Sequence, residues 1–196
     1  MIIRLDTEMD YTFVSGQGVW RMGKPLPVAP DNTPFHQASV YIDDGMGHLG
    51  LHGACMQGFT PHVRHGLVRL CSVCYAGTLM VEGGLHVVLH TTYREYQTWP
   101  EVRPLIREVW GPMAAPFPYD FAALVPLLWE CGFTVTDAWG RSLDEMRLDL
   151  CGEGHEVPGM VAASNADLHR VVMQTLDRRE RFLLDRREEV IRVLLS

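Results

Sequence analysis

Thr78-Leu-Met-Val81, Glu82, Gly83-Gly84, Leu85-His-Val-Val-Leu-His-Thr-Thr-Tyr93 is the stretch on which the fold turns. A Gly-Gly pair between two apolar runs signals a hairpin, because tight type I′ and II′ turns need positive φ angles that glycine adopts freely. Thr78–Val81 and Leu85–Tyr93 then pair as antiparallel strands, with β-compatible Leu67–Tyr75 before them. Toward the N-terminus, Met1–Asp6, Tyr11–Ser15 and Val19–Met22 read as short strands, with a turn at Gly16–Gly18. Pro25–Pro34 carries four prolines in ten residues and reads as a surface loop. Gln37–Ile42 is a further strand.

Toward the C-terminus the pattern turns helical. Pro100–Val109 and Asp120–Cys131 have helical spacing, the second closed by Gly132 and interrupted by Pro126, where a kink or split is expected. Phe133–Ala138 and Met146–Leu150 return to strands, and Gly152–Gly159 is a loop. From Asn165 or Ser164, either of which can cap a helix, no Gly or Pro follows to the end. Leu176, Leu183, Val190 and Leu194 form one apolar seam there, beside the i,i+4 pairs Asp177–Arg181 and Glu188–Arg192.

The expected fold is therefore α+β: an antiparallel sheet from the N-terminal half, helices from the C-terminal half packed on one face, and a long C-terminal helix. Residues 1–163 are expected to form a single domain. Residues 164–196 are expected to dock on it as an amphipathic helix or to form a dimer contact.

Composition narrows the function. Hydrophobic residues make up 47%, enough for a real core. A net charge of −7 argues against general nucleic-acid binding, which needs clustered basic residues. Lys24 is the only lysine, a bias best read as that of a GC-rich genome. No apolar run is long enough to span a bilayer and no signal peptide is visible, so an intracellular, cytoplasmic protein with free thiols is expected, with no membrane partner.

Histidine and cysteine crowd one region. Seven of nine histidines and three of five cysteines fall between His36 and His90. Cys71-Ser-Val-Cys74 has the two-residue spacing of a zinc knuckle. On the hairpin, Cys74 and His90 would stand on the order of 10 Å apart, and Cys71 on the order of 20 Å away, too far to share an ion with His86 and His90. His62 and His65 with Cys71 and Cys74 are the better zinc set; two buried cysteines in a strand are the bland alternative. His48/His52 and His86/His90 cannot chelate in pairs from a strand, where i and i+4 lie about 13 Å apart. They line a sheet face, either as satisfied histidines or as the border of a cleft where one acts as general base. Phosphate-loop, dinucleotide-binding, nucleophile-elbow and zincin motifs are all absent. His90 and Thr92 give a single His-x-Thr element of the kind used in phosphoesterases.

Two function classes follow. The first is a small binding or regulatory protein working through protein–protein contacts, its partner another protein or a second copy of itself met through the C-terminal helix, as a homo-oligomer. The second is a hydrolase or phosphoesterase with a histidine-lined cleft, with or without metal, built on His48, His52, His86 and His90. No cofactor is expected, with zinc at His62, His65, Cys71 and Cys74 the one exception.

Overall fold

The N-terminal strands form because short β-formers alternate with glycine turns. A computed structural model describes residues 2–4, 8–27, 31–42, 59, 67–68, 72–104, 108, 118–144 and 159–194. Strands β1 (Ile2–Arg4), β2 (Met9–Val14), β3 (Gly18–Arg21) and β4 (Lys24–Pro25) pair in order as an antiparallel sheet. Arg21 faces Lys24 across the two-residue turn Met22-Gly23, where both φ angles are positive, as a type I′ turn requires. Pro25 sits on the edge strand, where a missing N–H costs no ladder bond.

A second, five-stranded sheet has the order β6-β5-β7-β9-β8. It contains β5 (Val40–Ile42), β6 (Leu67–Val68), β7 (Val87–His90), β8 (Thr134–Thr136) and β9 (Met160–Ala163). β5 runs parallel to both β6 and β7, while β9 runs antiparallel to β7 and β8. Both faces are covered, and the alternation along each strand divides the core in two. Tyr41, Val88 and Ala162 enter one hydrophobic cluster, together with Tyr11 and Val19 of the first sheet. Val40, Val87, Leu89 and Val161 enter the other.

The α+β class is as expected, with an antiparallel sheet in the N-terminal half and helices in the C-terminal half that include a long C-terminal one. The hairpin at Gly83-Gly84 is not. Val73–Val81 is a helix, α1, whose Ser72 N-cap accepts a hydrogen bond from the Tyr75 N–H at 3.2 Å. Gly83, at φ +77°, donates to Met80 O and Gly84 to Leu79 O, the Schellman closure of a helix C-terminus. Gly83 supplies a positive φ, but to end a helix rather than to turn a hairpin. The β-branched residues Val73, Thr78 and Val81 are helical because each is buried there, and burial outweighs a propensity difference of a few tenths of a kcal/mol.

Helix α2 (Thr92–Thr98) follows β7 directly and leads into a 3₁₀ turn at Pro100–Val102, inside the region expected as a longer helix. The segment expected over Asp120–Cys131 splits into α3 (Pro118–Ala122) and α4 (Leu124–Glu130). The break precedes Pro126, whose ring would meet the Ala122 carbonyl in a continuous helix. Glu130 ends α4 and accepts the Gly16 and Gly18 N–H groups at 2.8 and 3.1 Å, tying the β2–β3 turn to the helices. The strand expected at Met146–Leu150 lies outside the described residues.

Helix α5 (Ala166–Leu184) starts at Asn165, whose side chain accepts the Leu168 N–H at 2.7 Å. Leu168, Val172, Leu176 and Leu183 enter the second core. The chain bends at Asp185-Arg186 into α6 (Arg187–Leu194), whose Val190, Ile191 and Leu194 pack on the same core. Asp177 does not make the expected local pair with Arg181. Its carboxylate meets Arg94 at 2.7 Å. Arg94, itself buried, also forms two bonds to Glu180 and one to Ala138 O. Burial opposes its charge, yet the two carboxylates outweigh that and hold its pKa above the usual arginine value. Among the described residues no helix is long and apolar enough to cross a membrane.

Two substitutions test this packing. Gly77 of α1 faces α4 so closely that an added Cβ would stand 2.0 Å from Leu124 Cδ1. Gly77→Ala should cost about 1–3 kcal/mol in urea denaturation through overpacking; an unchanged midpoint would place the two helices further apart. Arg94→Leu should cost about 3 kcal/mol, because it strands Glu180 in a partly buried setting. A loss below about 0.5 kcal/mol would show the pair to be no stronger than a surface ion pair.

Candidate functional site

Three parallel strands, β5, β6 and β7, end at one edge of the second sheet. Ligands of sheets with parallel strands collect outside the carboxyl ends, where helices begin. The crossover from β6 to β7 runs through α1, so the N-terminus of α1 comes to this edge, with the partial positive charge of its helix dipole. α3 packs beside it.

Two pairs of residues, His90 with Thr92 and Cys74 with Asp120, lie there. His90 is the last residue of β7 and is buried. Its ring lies edge-on to Phe121 of α3, with centroids 5.6 Å apart, and Thr92 Oγ1 is 3.5 Å from its Nδ1. Cys74, in the first turn of α1, donates its S–H to the Asp120 backbone carbonyl at 3.2 Å. Burial and then the negative charge of Asp120 push the Cys74 thiol above its ordinary pKa. Such a thiol is protonated at neutral pH and is a poor nucleophile. Asp120 supplies the carboxylate of the group. The Gly159 Cα approaches the His90 carbonyl so closely that a Cβ would stand 2.3 Å from it, so the start of β9 packs flat against the end of β7. Chemically the edge offers an imidazole, a hydroxyl, a carboxylate and a helix N-terminus, a set suited to binding an anion and positioning a proton or a cation beside it.

The histidine pair on β7 is divided rather than joined. His86 shares a sheet face with Val88 and His90 but stands at the opposite end of the strand, where its Nδ1 accepts the Ser39 N–H at 3.0 Å. Of the expected zinc set, Cys74 is placed as described; His62, His65 and Cys71 lie outside the described residues, as do His48 and His52. The geometric case against Cys74 and His90 meeting rested on the hairpin, and the helix at Val73–Val81 removes it. Among the described residues, no group of three or more His, Cys, Asp or Glu side chains could hold a metal ion. Asp120 was not singled out from sequence. The one signal was its place just after Pro118-Tyr119, an acidic residue in a helix's first turn.

No protein-family model matches the sequence, and no curated protein matches it. Solved structures do. Inositol monophosphatase II from Staphylococcus aureus superposes with a TM-score of 0.64 at 15% identity, covering 95% of this chain and 57% of that one. SaIMPase-II with 2′-AMP bound gives 0.63 at 15%, covering 95% and 59%. An IMPase from Thermotoga maritima gives 0.60 at 14%, covering 94% and 54%. The chain thus spans under three-fifths of the length of these three structures, and the likeness establishes the fold. It corrects the expectation of a histidine-rich regulatory protein working through protein–protein contacts. The fold is shared with phosphatases, and the apolar seam of the C-terminal helices, which had suggested a partner surface, packs on the chain's own second core.

Thiol chemistry tests the site's geometry. Iodoacetamide labelling of Cys74 at pH 7.5, followed by peptide mass spectrometry, should run at least about tenfold slower than for a free thiol and speed up as pH rises. Cys131, whose pKa burial drives up to about 12, should label more slowly still. Rapid labelling of Cys74 at neutral pH would contradict its half-buried position against the Asp120 carbonyl of α3.

Proposed function

We propose that this chain binds and hydrolyses a phosphate monoester at the carboxyl edge of β5, β6 and β7. The observation that carries the reading is a pair of contacts at this edge, Thr92 to His90 and Cys74 to the Asp120 carbonyl, joined through Phe121 against the His90 ring, in a fold shared with inositol monophosphatases. Two of the similar structures contain inositol monophosphate and 2′-AMP. Both ligands carry phosphate on a secondary ring hydroxyl, and that is the substrate class proposed here.

Phosphoryl transfer makes little covalent demand on a protein; it needs charge neutralisation and alignment. The α1 N-terminus is oriented to receive phosphate oxygens. His90, held by Phe121 and Thr92, is placed to donate to the ester or to hold the proton of the departing alcohol. Asp120 has the hard oxygen donors that suit a divalent cation such as Mg²⁺, which typically takes one or two carboxylates along with phosphate oxygens. When bound, that cation would neutralise phosphate charge and activate water. Asp120 fits as one ligand of such an ion. Cys74, protonated and turned to a carbonyl, holds α1 against α3 rather than attacking substrate.

Phosphate release from inositol monophosphate and from 2′-AMP, with Mg²⁺ present, tests the proposal. Activity that EDTA abolishes, and that Asp120→Asn lowers by about 100-fold or more and His90→Gln by at least about tenfold, is expected. No release from either ester, or full activity in Asp120→Asn, would overturn it.

A further inference from the structure

We propose that Tyr93 and Trp139 form a stacking corner for the base of a nucleotide, which makes a nucleoside monophosphate, rather than a cyclitol phosphate, the preferred substrate of the carboxyl edge. The substrate half of this inference rests on the phosphatase reading; the corner rests on geometry alone.

Strand pairing brings both residues to that edge. β7 and β8 each run antiparallel to β9, so they run parallel to one another and their continuations emerge on the same side. Tyr93 lies in the first turn of α2, just past the end of β7 at His90. Trp139 lies just past the end of β8 at Thr136. Gly159 packs against both continuations: a Cβ there would stand 2.3 Å from the His90 carbonyl oxygen and 3.2 Å from Ala138 Cβ. Arg94 adds a bond from α2 to the Ala138 carbonyl at 2.8 Å.

The Trp139 ring is held out in water. An indole is costly to expose, yet this residue is 36% exposed. The buried Asp137 carboxylate accepts the Trp139 and Arg141 N–H groups, each at 2.8 Å, and Arg141 Nε at 2.6 Å. Gly140, at φ +84°, closes the turn by donating to the Asp137 carbonyl at 3.1 Å. A loop fixed in this way has less ordering entropy to lose when a ligand arrives.

Ring geometry and shape select the ligand. Tyr93 meets Trp139 with centroids 6.1 Å apart and planes at 86°, and on its other side stacks on Tyr96 at 6.4 Å and 15°. Arg141 Cζ lies 5.1 Å over the Trp139 ring, and Arg103 Cζ 4.8 Å over Tyr96. Aromatic rings interleaved with guanidinium groups are a surface on which nucleobases stack. The His90 ring turns to Phe121 of the first core, whereas Tyr93 packs against the second. A ligand that touches both must pass over the end of β7. A nucleotide does so, because its ribose separates the phosphate from a flat base. A cyclitol phosphate carries phosphate directly on its one ring, and that ring has hydroxyls and no π face.

The test has two arms. In an NMR titration of the full chain with adenosine, saturable shifts of the Trp139 indole N–H and the Gly140 and Arg141 amides are expected, with myo-inositol binding at least about tenfold more weakly. Trp139→Leu should weaken adenosine binding about tenfold, and Trp139→Phe, which keeps an aromatic face, should restore most of it. In the second arm, kcat/KM for 2′-AMP relative to inositol monophosphate should exceed one and fall about tenfold in Trp139→Leu, through KM. Adenosine binding at Trp139 without hydrolysis of either ester would sink the phosphatase reading and uphold the stacking corner. Adenosine shifts confined to other residues, equal affinity for myo-inositol, or an unchanged substrate ratio in Trp139→Leu would overturn the inference while leaving hydrolysis itself intact.

Discussion

Burial of one four-residue strand on both faces places almost everything else. Val87, Val88, Leu89 and His90 are all buried, and each apolar side chain of this size brings about 1.5–3 kcal/mol when removed from water. Pleating sends Val88 to one core and Val87 and Leu89 to the other. One core must then be closed by α1, α4 and the first sheet, the other by α5 and α6. The strand's two ends are what remain for chemistry. His90 arrives at the carboxyl edge beside α1 and α3, and His86 at the amino edge beside Asp31 and Ser164.

Local signals in the sequence are legible where a single element decides them. The β2–β3 turn, the Asn165 cap, the break near Pro126 and the Gly132 helix end are all visible as short-range chemistry. Gly83-Gly84 shows the limit of that kind of reading. A positive φ is needed both by a hairpin turn and by a helix cap, and what chooses between them is the burial of Val73, Ala76 and Met80 against helices about forty residues further on. Parallel pairing of β5 with β6 and β7 is likewise invisible locally, because no turn records it. The site is hidden for the same reason: a strand over Leu67–Tyr75 does not bring Cys74 to Asp120, whereas the helix does. Asp31 and Ser164 are separated by more than a hundred residues and carry no motif that would join them.

Arginine does the long-range joining. Arg94 spends its planar fork on Glu180, Asp177 and Ala138 O, and Arg187 binds Glu101 through both carboxylate oxygens while lying 5.1 Å over the Trp99 ring. A lysine offers neither the fork nor the stacking surface. Asp177, which the sequence pairs locally with Arg181, and Glu180 are thus counter-charges to the buried Arg94. These clamps fix α2 and the 3₁₀ turn behind β7, and so fix where Thr92 stands relative to His90.

The central claim is that a phosphate ester belongs at the carboxyl edge, near the α1 N-terminus, His90 and Asp120. A crystal structure of the chain grown with inositol monophosphate and Mg²⁺ tests that most directly. The account predicts the phosphate at the start of α1, within hydrogen-bond reach of His90, and the cation on Asp120. Phosphate bound instead at the opposite end of β7, beside Asp31 and Ser164, would contradict it.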